Sequence, residues 1–284
     1  MAATPIFPPD RVTIVGVVNA TPDSFSDGGR FTRGAGELDL AAALAAARSL
    51  VAAGAHLIDV GGESTRPGAH EVPEALEIAR TQPLLEALAK AVDVPLSIDT
   101  RKAAVAEAAL EAGAAVVNDV SGLRRDPALA GVAARAGATL ILGHLRGEPG
   151  TMQHEIAFAD VLDEVAAELA AAVARARAAG FRGELVVDPG IGFGKRLPHN
   201  LALLANAGAL RARLGLPLLV GPSRKSFLGE LTGDPVEGRD LASAVACAIA
   251  VFAGADAVRV HDVASARRAV AVAKALRDAK RPAP

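Results

Sequence analysis

The chain has 284 residues, 51% of them apolar, with 30 Lys+Arg against 32 Asp+Glu and a formal net charge of −2. That is ample hydrocarbon for a large core, which excludes an intrinsically disordered chain, and there is none of the basic excess that nucleic acid demands of a main partner. The length admits two domains of about 150 residues or one α/β barrel of about 250; no linker divides the chain, so a single domain over residues 1–284, with a core from about 12 to 280, is expected.

Residues 1–10 lack the basic and apolar segments of a signal peptide, and Ala-rich stretches such as Leu38 to Ala53 are interrupted by Asp39 and Arg48. A cytoplasmic location and no membrane span are expected. The one cysteine, Cys247, sits in an apolar run and reads as a buried, inert thiol.

In chain order, Val12–Val18 is a short, apolar, β-branched run and reads as a buried strand ending on Asn19. Leu38, Ala42, Ala45 and Leu50 follow at helical spacing. The next strands are His56–Val60, which runs on into Gly61-Gly62-Glu63, Val94–Ile98 ending at Asp99, and Ala115–Val117 ending at Asn118-Asp119. Thr139–Leu142 leads to His144, and Leu185–Val187 leads to Asp188. Pro217–Val220 runs into Ser223-Arg224-Lys225, and Ala257–Val260 carries Arg259 and leads to His261-Asp262. Helical segments lie between, for example Val161, Val165, Ala166, Leu169 and Val173, and Gly54, Gly113, Gly137 and Gly254 mark helix exits. Eight βα units require parallel strands with helical crossovers, and they close naturally as a (β/α)8 TIM barrel. An open doubly wound sheet is the alternative, but the Gly-x-Gly-x-x-Gly expected after its first strand is replaced by Asn19-Ala20-Thr21-Pro22-Asp23.

Polar residues gather at the C-terminal strand ends, where a barrel carries its active site, while the entries to the strands have little ionisable character. Asp119, Ser121 and Asp262 are explained equally well by turns and helix caps. Asp99, Asn118 and Asp188 converge from three strands and suit a ligand with several N–H donors. The Gly61–Gly68 loop with Arg66, and Arg259 with His261, suit phosphate or pyrophosphate, and Gly221–Ser226 leads into a helix start that would welcome an anion. Asn19, a neutral amide, could hold a divalent cation only with charge supplied by the substrate. The histidines fall at no zinc spacing.

Two long motifs then resemble the dihydropteroate synthase family: Val17-Val18-Asn19-Ala20-Thr21-Pro22-Asp23-Ser24-Phe25-Ser26-Asp27-Gly28-Gly29 and Asp59-Val60-Gly61-Gly62-Glu63-Ser64-Thr65-Arg66-Pro67-Gly68. Ser97–Thr100, Asn118–Gly122, Asp188–Lys195, Ser223–Ser226 and Arg259–Asp262 are similar to its remaining blocks, in order. The resemblance implies condensation of 6-hydroxymethyl-7,8-dihydropterin pyrophosphate with 4-aminobenzoate, giving 7,8-dihydropteroate and pyrophosphate, through dissociative C–O cleavage. It implies that Asp99, Asn118, Asp188 and Lys225 hold the pterin, and that Thr65, Arg66, Arg259 and His261 hold the pyrophosphate. Ser226, Pro67, Phe193 and Phe25 would hold the aminobenzoate, Asn19 would support Mg²⁺, and Gly28-Gly29 and Gly61-Gly62 would be loop hinges. A homodimer is expected on the same ground, with the Ala264–Ala275 region as one seam. The chain departs from the family in Gly143 and Leu145, where methionines often flank His144; Leu145 or Ile98 would then supply the apolar pterin wall. The rival readings are a methyltetrahydrofolate-dependent corrinoid methyltransferase, a Schiff-base aldolase using Lys225, and a noncatalytic pterin-binding paralogue.

Overall fold

A computed structural model describes residues 5–21, 32–33, 37–65, 68–69 and 71–279. Eight parallel strands form the barrel: β1 (Thr13–Asn19), β2 (Leu57–Gly61), β3 (Leu96–Asp99), β4 (Val116–Asp119), β5 (Thr139–Gly143), β6 (Leu185–Asp188), β7 (Leu219–Val220) and β8 (Ala257–Val260). Each pairs with its neighbour in sequence, and β8 returns to β1 with Ala257 opposite Thr13. The ring closes between β6 and β7 at a parallel bridge from Val187 to Leu218. Sequential order with closure excludes the doubly wound alternative and joins the two end strands of the barrel sheet.

Around the strands lie α1 (Leu40–Ala53), α2 (Glu74–Ala89), α3 (Ala103–Glu111), α4 (Leu129–Ala136) and α5 (Val161–Ala178). Two crossovers hold more than one helix: α6 (Leu197–Ala205) and α7 (Ala207–Leu214) precede β7, while α8 (Ser226–Thr232) and α9 (Asp240–Ala253) precede β8; α10 (Val263–Ala279) ends the fold. Before β7 the two Ala/Leu-rich helices follow each other directly and share one apolar spacing, whereas before β8 Gly233-Asp234-Pro235 separates α8 from α9. Leu38 lies in a two-residue antiparallel ladder, Thr32–Arg33 with Glu37–Leu38, instead of the helix expected for it. The helix starts at Leu40 because Asp39 accepts the Ala42 N–H at 3.1 Å and caps it. The expected exit at Gly54 has a φ of 106°, which a side chain would disfavour. Among the described residues no helix is long and apolar enough to cross a membrane.

Side-chain alternation along the strands decides what the barrel contains. Val15, Leu57, Val116, Ile141, Val186, Leu219 and Ala257 point inward and form one apolar layer with Phe7, each at most 3% exposed. Ile14, Val18, Ile58, Val60, Ile98, Val117, Leu140 and Val187 point outward into the core beneath the helices. Two residues beyond the apolar layer the inward face turns polar: Leu57 is followed by Asp59, Val116 by Asn118, Val186 by Asp188 and Ala257 by Arg259. The opposite end of the barrel is plugged by the residues before β1. Glu184 accepts the N–H groups of Ile6 and Phe7, both at 3.1 Å, and the Thr139 hydroxyl at 2.8 Å. The strand entries therefore do hold an ionisable group, tied to backbone donors.

Candidate active site

The C-terminal strand ends surround a cavity of about 450 Å³. Of the residues expected there, Asn19, Thr65, Asp99, Phe193, Lys225, Ser226, Arg259 and His261 line it. Asn118 and Asp188 are buried beside it at 3% and 9% exposure, at the ends of β4 and β6. Phe25, Gly28-Gly29, Arg66 and Pro67 lie outside the described residues.

The floor is a charge cluster centred on Arg259. Its Nε donates to Asp59 Oδ2 at 2.6 Å and its Nη2 to Asp99 Oδ2 at 2.8 Å. Asn118 Nδ2 donates to the same Asp59 oxygen at 3.1 Å. Burial works to strip the Arg259 proton, but the Asp59 and Asp99 charges outweigh it and hold the guanidinium well above its usual range. Burial raises Asp99 far above an ordinary aspartate; Arg259 pulls the other way and Asp59 adds to the rise. Asp188 is raised by burial too, against the Gly190 N–H that its Oδ1 accepts at 2.7 Å. Asp99 Oδ1 is buried and has no hydrogen-bond partner among the described residues, so it offers an acceptor to a ligand N–H. Asp59, fully buried, belonged to a motif but was given no role from sequence. Its inward position follows from alternation with Leu57, and that was the available signal.

The loop after β6 fixes the second wall. Lys225 Nζ donates to the Ile191 carbonyl at 2.6 Å and stands 3.6 Å from the Phe193 ring centroid. Gly192 permits this crossing: a Cβ there would come within 2.6 Å of Lys225 Cδ, and its φ is +81°. Lys225 and Ser226 are aimed by a tight turn in which Arg224 takes a left-handed φ of 56°. Asp240 clamps that guanidinium with bonds of 2.7 and 2.9 Å, and Ser243 Oγ accepts the Arg224 N–H at 2.9 Å. Such backbone strain persists only where the surroundings hold it. His261 is oriented by Ser223, whose Oγ accepts its N–H and lies 2.9 Å from its Nδ1.

Several expectations change. His144 points away from the cavity into a buried cluster in which Lys195 Nζ lies 2.9 Å from Nδ1 and Glu168 Oε2 lies 3.1 Å from Nε2. Burial and the neighbouring Lys195 push His144 down to about 4. Lys195 itself is pushed down to about 7 by burial, with Asp188 opposing. Neither Ile98, which faces the helices, nor Leu145, which is buried outside the cavity lining, offers the apolar wall expected of it; Met152 and Phe193 are the large apolar side chains that line the cavity. Gly143 is explained by packing, since a Cβ there would meet the Val120 backbone at 2.6 Å. Gly62 likewise leaves room for α2, where Thr81 Cγ2 would lie 2.6 Å from a Cβ. Asp119 is a turn former, accepting from the Ser121 N–H and hydroxyl and the Leu123 N–H, and Asp262 accepts from the Ser265 N–H at the start of α10.

With this geometry, comparison with known proteins is specific. A family model described as pterin binding enzyme matches residues 15–261. The dihydropteroate synthase of Synechocystis sp. is 45% identical over 268 residues, 94% of this chain and 90% of that protein. The Yersinia pestis dihydropteroate synthase, solved as a sulfonamide drug complex, superposes with a TM-score of 0.88 at 42% identity, over 95% of this chain and 96% of that one. The Xanthomonas albilineans dihydropteroate synthase, solved with 4-aminobenzoic acid, gives a TM-score of 0.84 at 41% identity, over 97% and 95% of the two chains. Matches of this extent cover nearly the whole chain, and the chain belongs to the pterin-binding enzymes and, within them, to the dihydropteroate synthase family.

Proposed function

We propose that the protein is a transferase that joins 6-hydroxymethyl-7,8-dihydropterin pyrophosphate to 4-aminobenzoate, forming 7,8-dihydropteroate and pyrophosphate for folate synthesis in the cytoplasm. The observation that carries this reading is the buried Asp99 carboxylate, with one oxygen on Arg259 and the other unpartnered at the mouth of the barrel. A carboxylate so placed accepts pterin ring N–H groups, with Asn118 and Asp188 beside it and Lys225 facing the carbonyl side. Thr65, Arg66, Arg259 and His261 take the pyrophosphate. The Ser226 hydroxyl receives the aminobenzoate carboxylate, while Phe193, Phe25 and Pro67 enclose its ring.

The C–O bond of the pterin methylene breaks as its electron pair leaves with pyrophosphate, and Arg259 and His261 stabilise the charge that develops. Asp99 stabilises the cationic pterin methylene electrostatically. The amine nitrogen then forms the C–N bond and releases one proton. It is neutral beforehand and needs placement more than deprotonation.

Asn19 ends β1 and lines the cavity with a neutral amide, and among the described residues no group of three or more His, Cys, Asp or Glu could hold a metal. That donor set fits Mg²⁺ taking most of its ligands from pyrophosphate and water, with one from Asn19. When bound, the ion neutralises leaving-group charge. A homodimer belongs to the same reading: Leu241, Val245 and Ile249 expose an apolar stripe along α9, at 76%, 49% and 53%, beside Val272 and Leu276 of α10.

The test is pyrophosphate release by purified protein with dihydropterin pyrophosphate and Mg²⁺, with and without 4-aminobenzoate. Release that depends on the aminobenzoate, with dihydropteroate identified by mass, is expected. Pterin binding without product would overturn the reading in favour of a noncatalytic paralogue or a methyltransferase.

A further inference from the structure

Glu63, Glu77, Arg101 and Lys102 form a second charged group behind the cavity wall, with side-chain exposures of 6%, 1%, 4% and 5%. Lys102 Nζ donates to Glu63 Oε2 at 2.6 Å, to Glu77 Oε2 at 2.7 Å and to the Val72 carbonyl. Glu63 Oε2 also accepts the Val72 N–H at 2.8 Å, while its Oε1 accepts from Arg101 Nη2 at 2.8 Å. The segment between β2 and α2 is thus joined at its neck: Glu63 stands at its beginning, Val72 near its end, and one ammonium group bonds to both. Arg101 extends the network to Glu148 Oε2 at 2.7 Å, in the connection after β5.

Hydrocarbon of the same volume would hold a loop base at least as firmly, because desolvating four charges costs much of what their pairing returns. Directed bonds fix position and angle, which apolar packing does not. The direction matters here because Glu63, Ser64 and Thr65 line the cavity, so the neck of the segment is also a wall of the site. Burial alone would lower Lys102, but Glu63 and Glu77 outweigh it and keep the ammonium charged. Glu63 is held below its usual range by Lys102 and Arg101 against the opposing effect of burial.

We propose that Lys102 is a positioning residue for the phosphate-binding wall: by joining Glu63 to Val72 it sets Ser64 and Thr65 against the pyrophosphate end of the substrate without touching the substrate itself. The inference rests on the functional reading above. It gives the pyrophosphate end two supports, Arg259 and His261 from the end of β8 and the Ser64–Thr65 wall held by this clasp.

The experiment compares wild type, Lys102→Arg and Lys102→Met by binding, turnover and hydrogen exchange. In Lys102→Met, affinity for the dihydropterin pyrophosphate falls on the order of tenfold and kcat falls with it, as misplacement of a binding wall does. Affinity for 6-hydroxymethylpterin, which lacks the pyrophosphate, stays within about twofold, and Lys102→Arg restores both properties because it can still bond Glu63. If Lys102→Met does not fold, the charge-balanced Lys102→Met/Glu77→Gln variant takes its place with the same expectations. Equal weakening of both ligands, or no change in either, overturns the proposal. Hydrogen exchange at the Val72 amide tests the clasp without substrate: protection is expected in wild type and Lys102→Arg and is lost in Lys102→Met, and unchanged protection overturns the proposal. Failure of the functional reading would appear separately, as wild type that neither turns over nor prefers the pyrophosphate-bearing pterin.

Discussion

Asp99 combines deep burial, an ion pair on one oxygen and an unpartnered second oxygen. In Asp99→Asn the shape is kept and Arg259 still finds an acceptor, but the charge that faces the pterin is gone; kcat/KM is expected to fall about 100-fold or more, with little change in the thermal midpoint. Steady-state kinetics beside calorimetry check this. His144 gives a pH dependence of stability. In the folded protein it is pushed to about 4 from an unfolded value of 6.5, so between these limits the unfolded chain binds a proton that the native state refuses. Its contribution is therefore complete above about pH 6.5 and is lost as pH falls toward 4, on the order of 3 kcal/mol across a gap of roughly 2.5 units. His144→Gln, whose carbonyl oxygen can still accept from Lys195, should flatten that slope; subtracting urea-unfolding curves of the two proteins reads the histidine together with its coupling to Lys195 and Glu168.

Among the elements, the β6 loop shows how glycine placement becomes binding geometry. Gly192→Ala would bring its methyl against the Lys225 stem and strain a left-handed backbone, so a loss of about 1–2 kcal/mol in stability and a roughly tenfold fall in kcat/KM are expected, read by urea titration and pterin kinetics. All eight strands were legible in the sequence because each is a short apolar run with polar residues at or shortly after its end, and the parallel barrel followed from their alternation with helices. The antiparallel ladder around Leu38 and the paired helices before β7 were not, since neither changes the local periodicity enough to be seen, while Gly233-Asp234-Pro235 was the available signal for the pair before β8. The inward polar residues were legible one by one, yet their pairings were not. Asp59 meets Arg259 across 200 positions of chain, and no local pattern encodes that contact. His144 shows the converse, a polar residue at a strand end that faces outward because it is one residue out of phase with the inward set.

At the scale of the molecule, the two ends of the barrel serve different ends: polar groups converge at the mouth, and hydrocarbon seals the base. Phe7→Ala removes the centre of that seal and should destabilise the fold by about 3–5 kcal/mol while leaving KM for both substrates unchanged below the unfolding transition. Urea unfolding and kinetics on the same preparation check it. The α9 stripe makes a separate expectation. On the proposed homodimer, Ile249→Glu places a charge in that stripe and is expected to leave monomers by sedimentation analysis where wild type sediments as a dimer; a variant that still sediments as a dimer would move the interface elsewhere.

The seal at the base also sets a timetable. Ile6 and Phe7 are synthesised well before the carboxylate that holds them, which belongs to Glu184, 178 and 177 positions later. During synthesis Phe7 must wait, without its carboxylate partner, until the 177 residues that lead to Glu184 have followed it. Contacts of such long sequence separation form late and slowly. The barrel is therefore corked from below only after β6 arrives, and a pause in translation before that point would prolong the interval in which Phe7 is open to the wrong partner.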